Sequence, residues 1–253
     1  FLINELLAGG YLQNDVKTVA GGSGLEEYAQ EPFIRDEEII WRGGVRESGD
    51  DSILRGHDKP FAPDGGLKLL KGNIGKSVIK ISAVKEAHRY IKAPAKVFHC
   101  QDALKDAFHR GDLDQDFIAV IRFQGPKANG MPELHKMVPL MGVLQDKGHK
   151  VALITDGRMS GASGKVPAAI HLSPEALDGG VIALINEGDI IELDAVGGTL
   201  LLHVEDDDLN RRVPAHQNLN DNGIGLGREL FYNFRNVVGS SDMGATIFNW
   251  ENE

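Results

Sequence analysis

The order of the apolar runs along the chain constrains its fold more than any other feature. Four runs typical of buried strands come first, at residues 77–81, 95–98, 116–123 and 150–155. Helical patterns separate the later ones, at residues 101–110 and 132–147. Three more runs follow across tight turns, at residues 181–185, 189–194 and 199–204. Strands separated first by helices and then by tight turns predict an α/β fold, with a mixed, β-barrel-like domain flanked by helices.

The first 65 residues have a different pattern. A helical run over residues 1–7 ends at a glycine pair, and residues 21–66 are rich in Gly, Asp, Arg and Pro with little periodicity. We expect ordered coil there, with a linker from residue 43. The barrel-like domain then spans residues 66–253 as a C-terminal domain, preceded by the tail end of an N-terminal domain in residues 1–65. Because the chain begins inside a helical run without an initiator methionine, we expect it to be part of a longer protein.

Charge and cysteine content exclude several classes of protein. The formal net charge of −10 argues against general binding to nucleic acid, which needs a basic surface. No apolar run approaches the length that spans a membrane and no signal peptide is visible, so we expect a cytoplasmic protein with no membrane partner. Cys100 is the single cysteine. This chain alone therefore forms neither an internal disulfide nor a thiolate-held metal cluster.

The turn that follows the apolar run at residues 150–155 has the highest density of residues of the kinds found in active sites. Residues 156–165 (DGRMSGASGK) hold two hydroxyls, one carboxylate, two cations and three glycines. Glycines let main-chain N–H groups approach a ligand closely, and loops at strand ends are common places for catalytic groups. Met159 and Val166 replace the glycine and hydroxyl of a P-loop, and neither serine has the flanking glycines of a hydrolase nucleophile. The turn therefore predicts a site for an anionic substrate that belongs to neither class.

A second turn of the same kind follows the run at 116–123. Residues 122–136 lead from this strand through a glycine-rich segment to a predicted helix start. Glu133 lies in the first turn of that helix, where the dipole favours a carboxylate. Taken alone, Glu133 is best interpreted as a helix-start acid. Two such turns side by side in one sheet favour a shared site, however, and a hard cation such as Mg²⁺ would suit Glu133.

Three blocks of sequence, in their order and separation, resemble the dihydroxy-acid dehydratase and phosphogluconate dehydratase family. They are residues 125–134 (GPKANGMPEL), 155–161 (TDGRMSG) and 171–176 (HLSPEA). Residues 129–136 and 161–168 are more similar to the phosphogluconate branch, which acts in the Entner–Doudoroff pathway. The resemblance covers essentially the whole chain, but only the C-terminal part of the family's length.

The resemblance implies a hydro-lyase that converts 6-phospho-D-gluconate to 2-dehydro-3-deoxy-6-phosphogluconate. It implies Ser160 as the acceptor of the C2 proton and Glu133 as a ligand of a divalent cation such as Mg²⁺. It also implies an iron–sulfur cluster of the 4Fe–4S type, with ligands outside this chain. Residues 1–65 would be the end of the cluster-binding domain plus a linker. A homodimer is the implied assembly, and the fragment alone is expected to be inactive.

Four residues of the first turn are assigned to binding the small phosphorylated sugar acid, namely Asp156, Arg158, Ser163 and Lys165. Lys165 is a candidate for contacting the phosphate, because a cation in a glycine-rich turn suits that group. A solvent-facing lysine explains the residue equally well. Two other functions stay open: a dihydroxy-acid or other sugar-acid dehydratase, and a non-catalytic domain that supplies dimer contacts and a lid.

Overall fold

The computed structural model describes residues 1–19, 22–63, 65–159 and 164–248. The chain divides into two compact units, Phe1–Gly65 and Gly66–Glu253. None of the helices within the described ranges is long and apolar enough to cross a membrane.

The first unit combines a helix with a β-hairpin. Helix α1 spans Leu2–Ala8, which confirms the predicted helical run. A 3-10 helix, Glu26–Ala29, leads into strand β1, Gln30–Arg35. Strand β1 pairs antiparallel with strand β2, Glu38–Gly43.

The prediction of coil for residues 21–66 is wrong where this hairpin lies. Its turn residues, Asp36 and Glu37, have positive φ values of 53° and 67°. A turn of this shape is usually signalled by Asn-Gly or Asp-Gly, and this sequence has neither there. Strand β2 is exposed throughout and β1 is mostly exposed. No alternation of apolar and polar residues therefore marked the two strands.

The second unit is built on a closed barrel, which confirms the predicted α/β fold with a mixed, barrel-like sheet. Its strands within the described residues are β3 (Leu67–Gly72), β4 (Gly75–Lys80), β5 (Tyr90–Phe98), β6 (Phe117–Ile121), β7 (Val151–Thr155), β8 (Ala168–Ser173), β9 (Ile190–Asp194) and β10 (Thr199–His203). The order around the barrel is β10-β3-β4-β8-β7-β6-β5-β9, and β9 pairs with β10 to close it. Strands β5, β6, β7 and β8 are parallel neighbours, so their carboxyl ends meet at one edge.

Helices connect the strands and follow the last of them. The α-helices of this unit are α2 (Gln101–Arg110), α3 (Pro126–Asn129), α4 (Met137–Asp146), α5 (Asp206–Arg211) and α6 (Tyr232–Val237). Short 3-10 helices lie at Glu86–His88, Ala176–Asp178, Val181–Leu184, Asn220–Gly223, Arg228–Phe231 and Ser241–Met243. Helix α2 joins β5 to β6, and helices α3 and α4 lie between β6 and β7.

The hydrophobic core has two layers, because successive residues of a strand point to opposite faces of the sheet. On β6, Ile118 and Val120 belong to the cluster inside the barrel. Phe117 and Ile121 belong to a second cluster, which includes the apolar residues of α2 and α4. All four side chains are fully buried. Burial on both faces explains the unbroken apolar runs of β6 and β7, and it holds the ends of these strands firmly.

The helix predicted over residues 132–147 is wrong at its start. Helix α4 begins only at Met137, so Glu133 does not lie in its first turn. Gly130 and Met131 instead have left-handed φ values of 69° and 52°, which interrupt the helical path. Glu133 forms an isolated β-bridge with Arg158. Long-range pairing of these two loops therefore overrides the local helical pattern.

Two other local predictions differ from the structure. The strand predicted at residues 181–185 is the 3-10 helix Val181–Leu184. Three carbonyl groups of this segment, those of Ile182, Ala183 and Ile185, accept hydrogen bonds from Arg122. The apolar run is thus buried without joining the sheet. Strand β8 was not predicted, because its segment carries only a short apolar run.

Candidate active site

The candidate site lies at the carboxyl ends of strands β6 and β7. These parallel strands are in register along their whole length, so the segments that follow them leave the barrel side by side. We call residues 122–136 the β6 loop and residues 156–167 the β7 loop. Residues 160–163 of the β7 loop lie outside the described part of the chain. Ligands commonly bind at such strand ends, where groups from adjacent loops converge.

Asp156 is a fully buried carboxylate that ties three segments together. Its Oδ1 accepts the N–H of Gln124 at 2.9 Å, and its Oδ2 accepts the N–H groups of Phe123 at 3.1 Å and Ala176 at 3.0 Å. Burial raises the pKa of Asp156, while these main-chain hydrogen bonds act in the opposite direction. Both oxygens are occupied by main-chain groups, so Asp156 orders the loops around the site.

Arg122 is a buried cation at the start of the β6 loop. Its Nη1 donates to the carbonyl oxygens of Ala183 at 3.2 Å and Ile185 at 3.1 Å, and its Nε donates to Nε2 of His99 at 3.1 Å. Burial lowers the pKa of Arg122, and the negative charge of Asp156 raises it. Arg122 therefore holds the segment that contains Ala183 and Ile185 next to the β6 and β7 loops. The sequence signal for this role was a cation directly after a buried strand, and it was missed.

Glu175 is a second buried carboxylate, and it caps the short helix α3. Its two oxygens accept the N–H groups of Lys127 at 2.8 Å and Ala128 at 3.1 Å. The pKa of Glu175 is raised to about 7, mainly by burial; the charges of Asp156 and Asp178 add to the rise, and the hydrogen bonds from Lys127 and Ala128 oppose it. Glu175 thus joins the segment after β8 to the β6 loop.

Arg158 and Glu133 form an ion pair between the β7 loop and the β6 loop. Nη1 of Arg158 lies 2.7 Å from Oε2 of Glu133, and its Nε donates to the carbonyl oxygen of Met131 at 2.8 Å. The two charged side chains keep 49% and 27% of their exposure, so a ligand can reach them. The structure thus brings together the two turns for which the sequence predicted a shared site.

His171 of β8 adds a neutral imidazole beside this pair. Burial lowers its pKa, and the positive charge of Arg158 lowers it further. Its main-chain N–H donates to the carbonyl oxygen of Gly157 at 2.9 Å, and its φ of 56° is left-handed. The structure therefore places His171 beside the β7 loop in a form that can accept or donate a hydrogen bond.

Comparison with known proteins defines the family. The profile of the family described as "Dihydroxy-acid/6-phosphogluconate dehydratase C-terminal" matches residues 52–245. The chain belongs to this family. The resemblance found in the sequence motifs is thereby confirmed.

Three curated relatives show how much of the family's length the chain covers. The phosphogluconate dehydratase of Pseudomonas aeruginosa is 53% identical over 98% of this chain and 40% of its own length. That of Rhizobium meliloti is 55% identical over 98% and 41%. The dihydroxy-acid dehydratase of Acetivibrio thermocellus is 34% identical over 84% and 36%. The chain thus spans about 40% of the length of the relatives named phosphogluconate dehydratase.

Lys165 forms an ion pair with helix α4. Its Nζ contacts Oδ1 of Asp146 at the end of helix α4, and its side chain passes near Gly142 of the same helix. A phosphate at Lys165 would have to compete with this carboxylate. Its expected role in binding phosphate stays a prediction.

The two serines of the β7 loop, Ser160 and Ser163, lie outside the described residues. Their expected roles in proton transfer and substrate binding stay predictions. Their described neighbours in sequence are Met159, which is buried, and Arg158, which is partly exposed. The loop is therefore anchored immediately before Ser160.

The described residues do not by themselves complete a site for either cofactor that dehydratases of this kind are expected to use. No group of three or more His, Cys, Asp or Glu side chains among them could hold a metal ion. Cys100 is an exposed thiol at the start of α2, whereas an iron–sulfur cluster is held by several thiolates. Glu133 supplies one carboxylate, which already contacts Arg158. A cluster or a complete divalent-metal site therefore needs ligands from elsewhere.

Proposed function

We propose that this chain is the part of a phosphogluconate dehydratase that supplies the catalytic base. The proposal rests on the difference in sequence identity between the chain and two groups of relatives. Relatives named phosphogluconate dehydratase are 46–55% identical to the chain, whereas the dihydroxy-acid dehydratase relative is 34% identical. The proposed reaction removes water from 6-phospho-D-gluconate and yields 2-dehydro-3-deoxy-6-phosphogluconate.

Proton removal from C2 is assigned to Ser160 of the β7 loop. The base takes the C2 proton while the C3 hydroxyl leaves as hydroxide, so that the proton and the hydroxide together make up the released water, and the resulting enol tautomerises to the 2-keto acid. A serine hydroxyl is a poor base unless positive charge stabilises its alkoxide. Arg158, two residues away and partly exposed, can supply such charge. We therefore assign Arg158 and Ser163 to the substrate-binding surface, and Asp156 to holding the two loops in place.

The proposal assigns the iron–sulfur cluster to the part of the protein outside this chain. An open iron there would supply Lewis acidity toward the leaving hydroxyl. Glu133 would add one ligand to a divalent cation such as Mg²⁺, and residues 1–65 would be the end of the cluster-binding domain with its linker. In this proposal the whole protein is a homodimer.

The substrate and the base are tested on the full-length enzyme that contains this chain. We expect turnover of 6-phosphogluconate to exceed that of 2,3-dihydroxyisovalerate. Ser160→Ala should lower kcat on 6-phosphogluconate by about 10²- to 10⁴-fold, the usual contribution of a general base. Ser82→Ala, at an exposed position before β5, is the matched control and should leave kcat unchanged.

Three results would argue against parts of the proposal. Full turnover by Ser160→Ala would remove the base assignment. Preference for 2,3-dihydroxyisovalerate would identify a dihydroxy-acid dehydratase instead. Turnover of neither substrate by the cluster-loaded enzyme would favour a non-catalytic role for this domain.

A further inference from the structure

A cavity of about 340 Å³ opens beside the β6 loop and carries two arginines. We call it the arginine pocket. The β6 loop forms one wall, and the last described segment of the chain forms the other. The residues that define its character are Gly130, Met131, Arg228, Phe231, Phe234 and Arg235. Its size and its mixture of apolar walls and cationic groups are those of a small-ligand site.

The two guanidinium groups have no acidic partner within the described residues. Arg228 donates to the carbonyl oxygen of Asn129 at 3.0 Å, to its side-chain oxygen at 2.7 Å, and to the carbonyl oxygen of Asn222. Arg235 lies over the ring of Tyr232, with its Cζ 5.7 Å from the ring centroid, and forms no ion pair there. No Asp or Glu is among the described residues that line the pocket. The lining of the pocket therefore includes two arginines whose described contacts are with neutral groups.

The two arginines repel each other in the absence of an anion. Burial lowers the pKa of Arg235, and the positive charge of Arg228 lowers it further. An anion between two guanidinium groups would reverse this repulsion. A phosphate suits the arrangement, because its oxygens can accept paired hydrogen bonds from guanidinium forks.

The turn at residues 129–131 connects the arginine pocket to the candidate active site. Asn129 accepts hydrogen bonds from Arg228, and Met131 accepts one from Arg158. Arg158 and Arg228 thus contact the same short turn. A substrate with its reacting carbons at the β7 loop and an anionic group at its other end could lie across this turn. Lys165, in contrast, contacts Asp146 of helix α4.

We propose that Arg228 and Arg235 bind the phosphate group of the substrate. This inference rests on the proposed function, because it takes 6-phosphogluconate as the substrate. In this proposal the residues that select the phosphorylated substrate belong to the last described segment of the chain and not to the β7 loop. The binding of inorganic phosphate to the same pocket follows from the same chemistry.

The test uses the full-length, cluster-loaded enzyme with Arg235→Gln. Loss of one charged pair of hydrogen bonds should raise the KM for 6-phosphogluconate by about 10- to 100-fold, with kcat nearly unchanged. Competitive inhibition by inorganic phosphate should weaken by a similar factor. Arg235→Lys keeps the charge but loses the planar fork, so its KM should lie between those of the wild type and Arg235→Gln.

Arg211→Gln is the matched control. Arg211 is an exposed arginine that pairs with Asp208 on α5, and its loss should change neither KM nor phosphate inhibition. Lys165→Ala tests the competing assignment. An unchanged KM in folded Arg235→Gln, or a fall in kcat with KM retained, would overturn the proposal. A rise in KM for Lys165→Ala alone would overturn it in favour of Lys165.

A second measurement separates this proposal from the proposed function. Inorganic phosphate should raise the thermal unfolding temperature of the wild-type enzyme, and this rise should be lost in Arg235→Gln and kept in Arg211→Gln. If the enzyme does not dehydrate 6-phosphogluconate but this pattern holds, the proposed function fails and the phosphate site stands. If the rise is equal in all three proteins, the phosphate site fails whatever the substrate.

Discussion

At the scale of single residues, the buried carboxylates Asp156 and Glu175 organise the candidate site from within. Burying a carboxylate is costly unless hydrogen bonds replace the lost water. Asp156 accepts three main-chain N–H groups, and Glu175 accepts two. Each bond joins a segment after one strand to a segment after another. The exposed residues Arg158 and Glu133 are thereby held on a fixed frame.

Glu175 should make stability depend on pH. Its folded-state pKa is about 7, raised from 4.5 mainly by burial, so the folded state binds its proton more tightly than the unfolded state does. Its contribution is fully present below pH 4.5 and is lost as the pH rises toward 7 and above. The loss should be on the order of 3 kcal/mol in the free energy of unfolding.

Urea unfolding of the wild type and of Glu175→Gln at several pH values measures this effect. The difference between the two proteins should change across the interval from pH 4.5 to 7. Glu86→Gln, at an exposed position, is the matched control for the substitution itself. A difference for Glu175→Gln that stays constant with pH would show that burial does not raise the pKa of Glu175 in the folded protein.

At the scale of elements, the close approach of the β6 and β7 loops depends on glycine. A Cβ on Gly157 would lie 2.7 Å from Cβ of Gln124 and 3.0 Å from Cδ1 of Leu134. A Cβ on Gly125 would lie 2.2 Å from Oε2 of Glu175. At Gly157 the β7 loop packs closely against side chains of the β6 loop, and at Gly125 the β6 loop packs closely against the side chain of Glu175, so an added Cβ at either position must displace these neighbours.

Gly157→Ala should therefore destabilise the protein by about 1–3 kcal/mol, the usual cost of overpacking a tight site. In the full-length enzyme the same change should lower kcat, because it displaces the start of the β7 loop, which carries the proposed catalytic base Ser160. Gly142→Ala is a control of opposite sign. Gly142 lies inside helix α4, and among the described residues an added Cβ meets only Cδ of Lys165, at 4.0 Å, so alanine should stabilise by about 0.5–1 kcal/mol.

Urea unfolding gives both stabilities, and steady-state turnover gives kcat. Equal stability of Gly157→Ala and the wild type would mean that the two loops can separate without cost. The close packing seen at Gly157 would then have no part in holding the site.

At the scale of the whole molecule, the chain provides one side of the proposed reaction. It spans about 40% of the length of the relatives it matches, and its single cysteine cannot hold an iron–sulfur cluster. It contributes the β7 loop, the ion pair of Arg158 with Glu133, and the arginine pocket. In the proposal, this chain therefore supplies the catalytic base and the rest of the protein supplies the iron–sulfur cluster.

This division predicts the behaviour of the separated chain. Purified alone, residues 1–253 should bind no iron and should not dehydrate 6-phosphogluconate. Expression together with the remaining part of the protein should restore both iron content and turnover, and the Ser160→Ala chain should restore only the iron content. Turnover by the isolated chain at the rate of the full-length enzyme would contradict the proposed division.

Much of the frame around the site could be predicted from sequence. Helix α2 was predicted with its observed bounds, and Gly111 ends it with a left-handed φ of 81°. Strands β6 and β7 were predicted from their apolar runs, as was the convergence of the turns that follow them. These features depend on residues that are close in sequence, or on burial so complete that it leaves an unbroken apolar pattern.

The sequence by itself determined the barrel class, the family, and the two loops that meet at the strand ends. Only the tertiary structure decided which side chains those loops bring together. Arg228 contacts Asn129 across 99 residues, and Lys165 pairs with Asp146 of α4. Local periodicity carries no information about such contacts, because they depend on how distant segments pack once the barrel has closed.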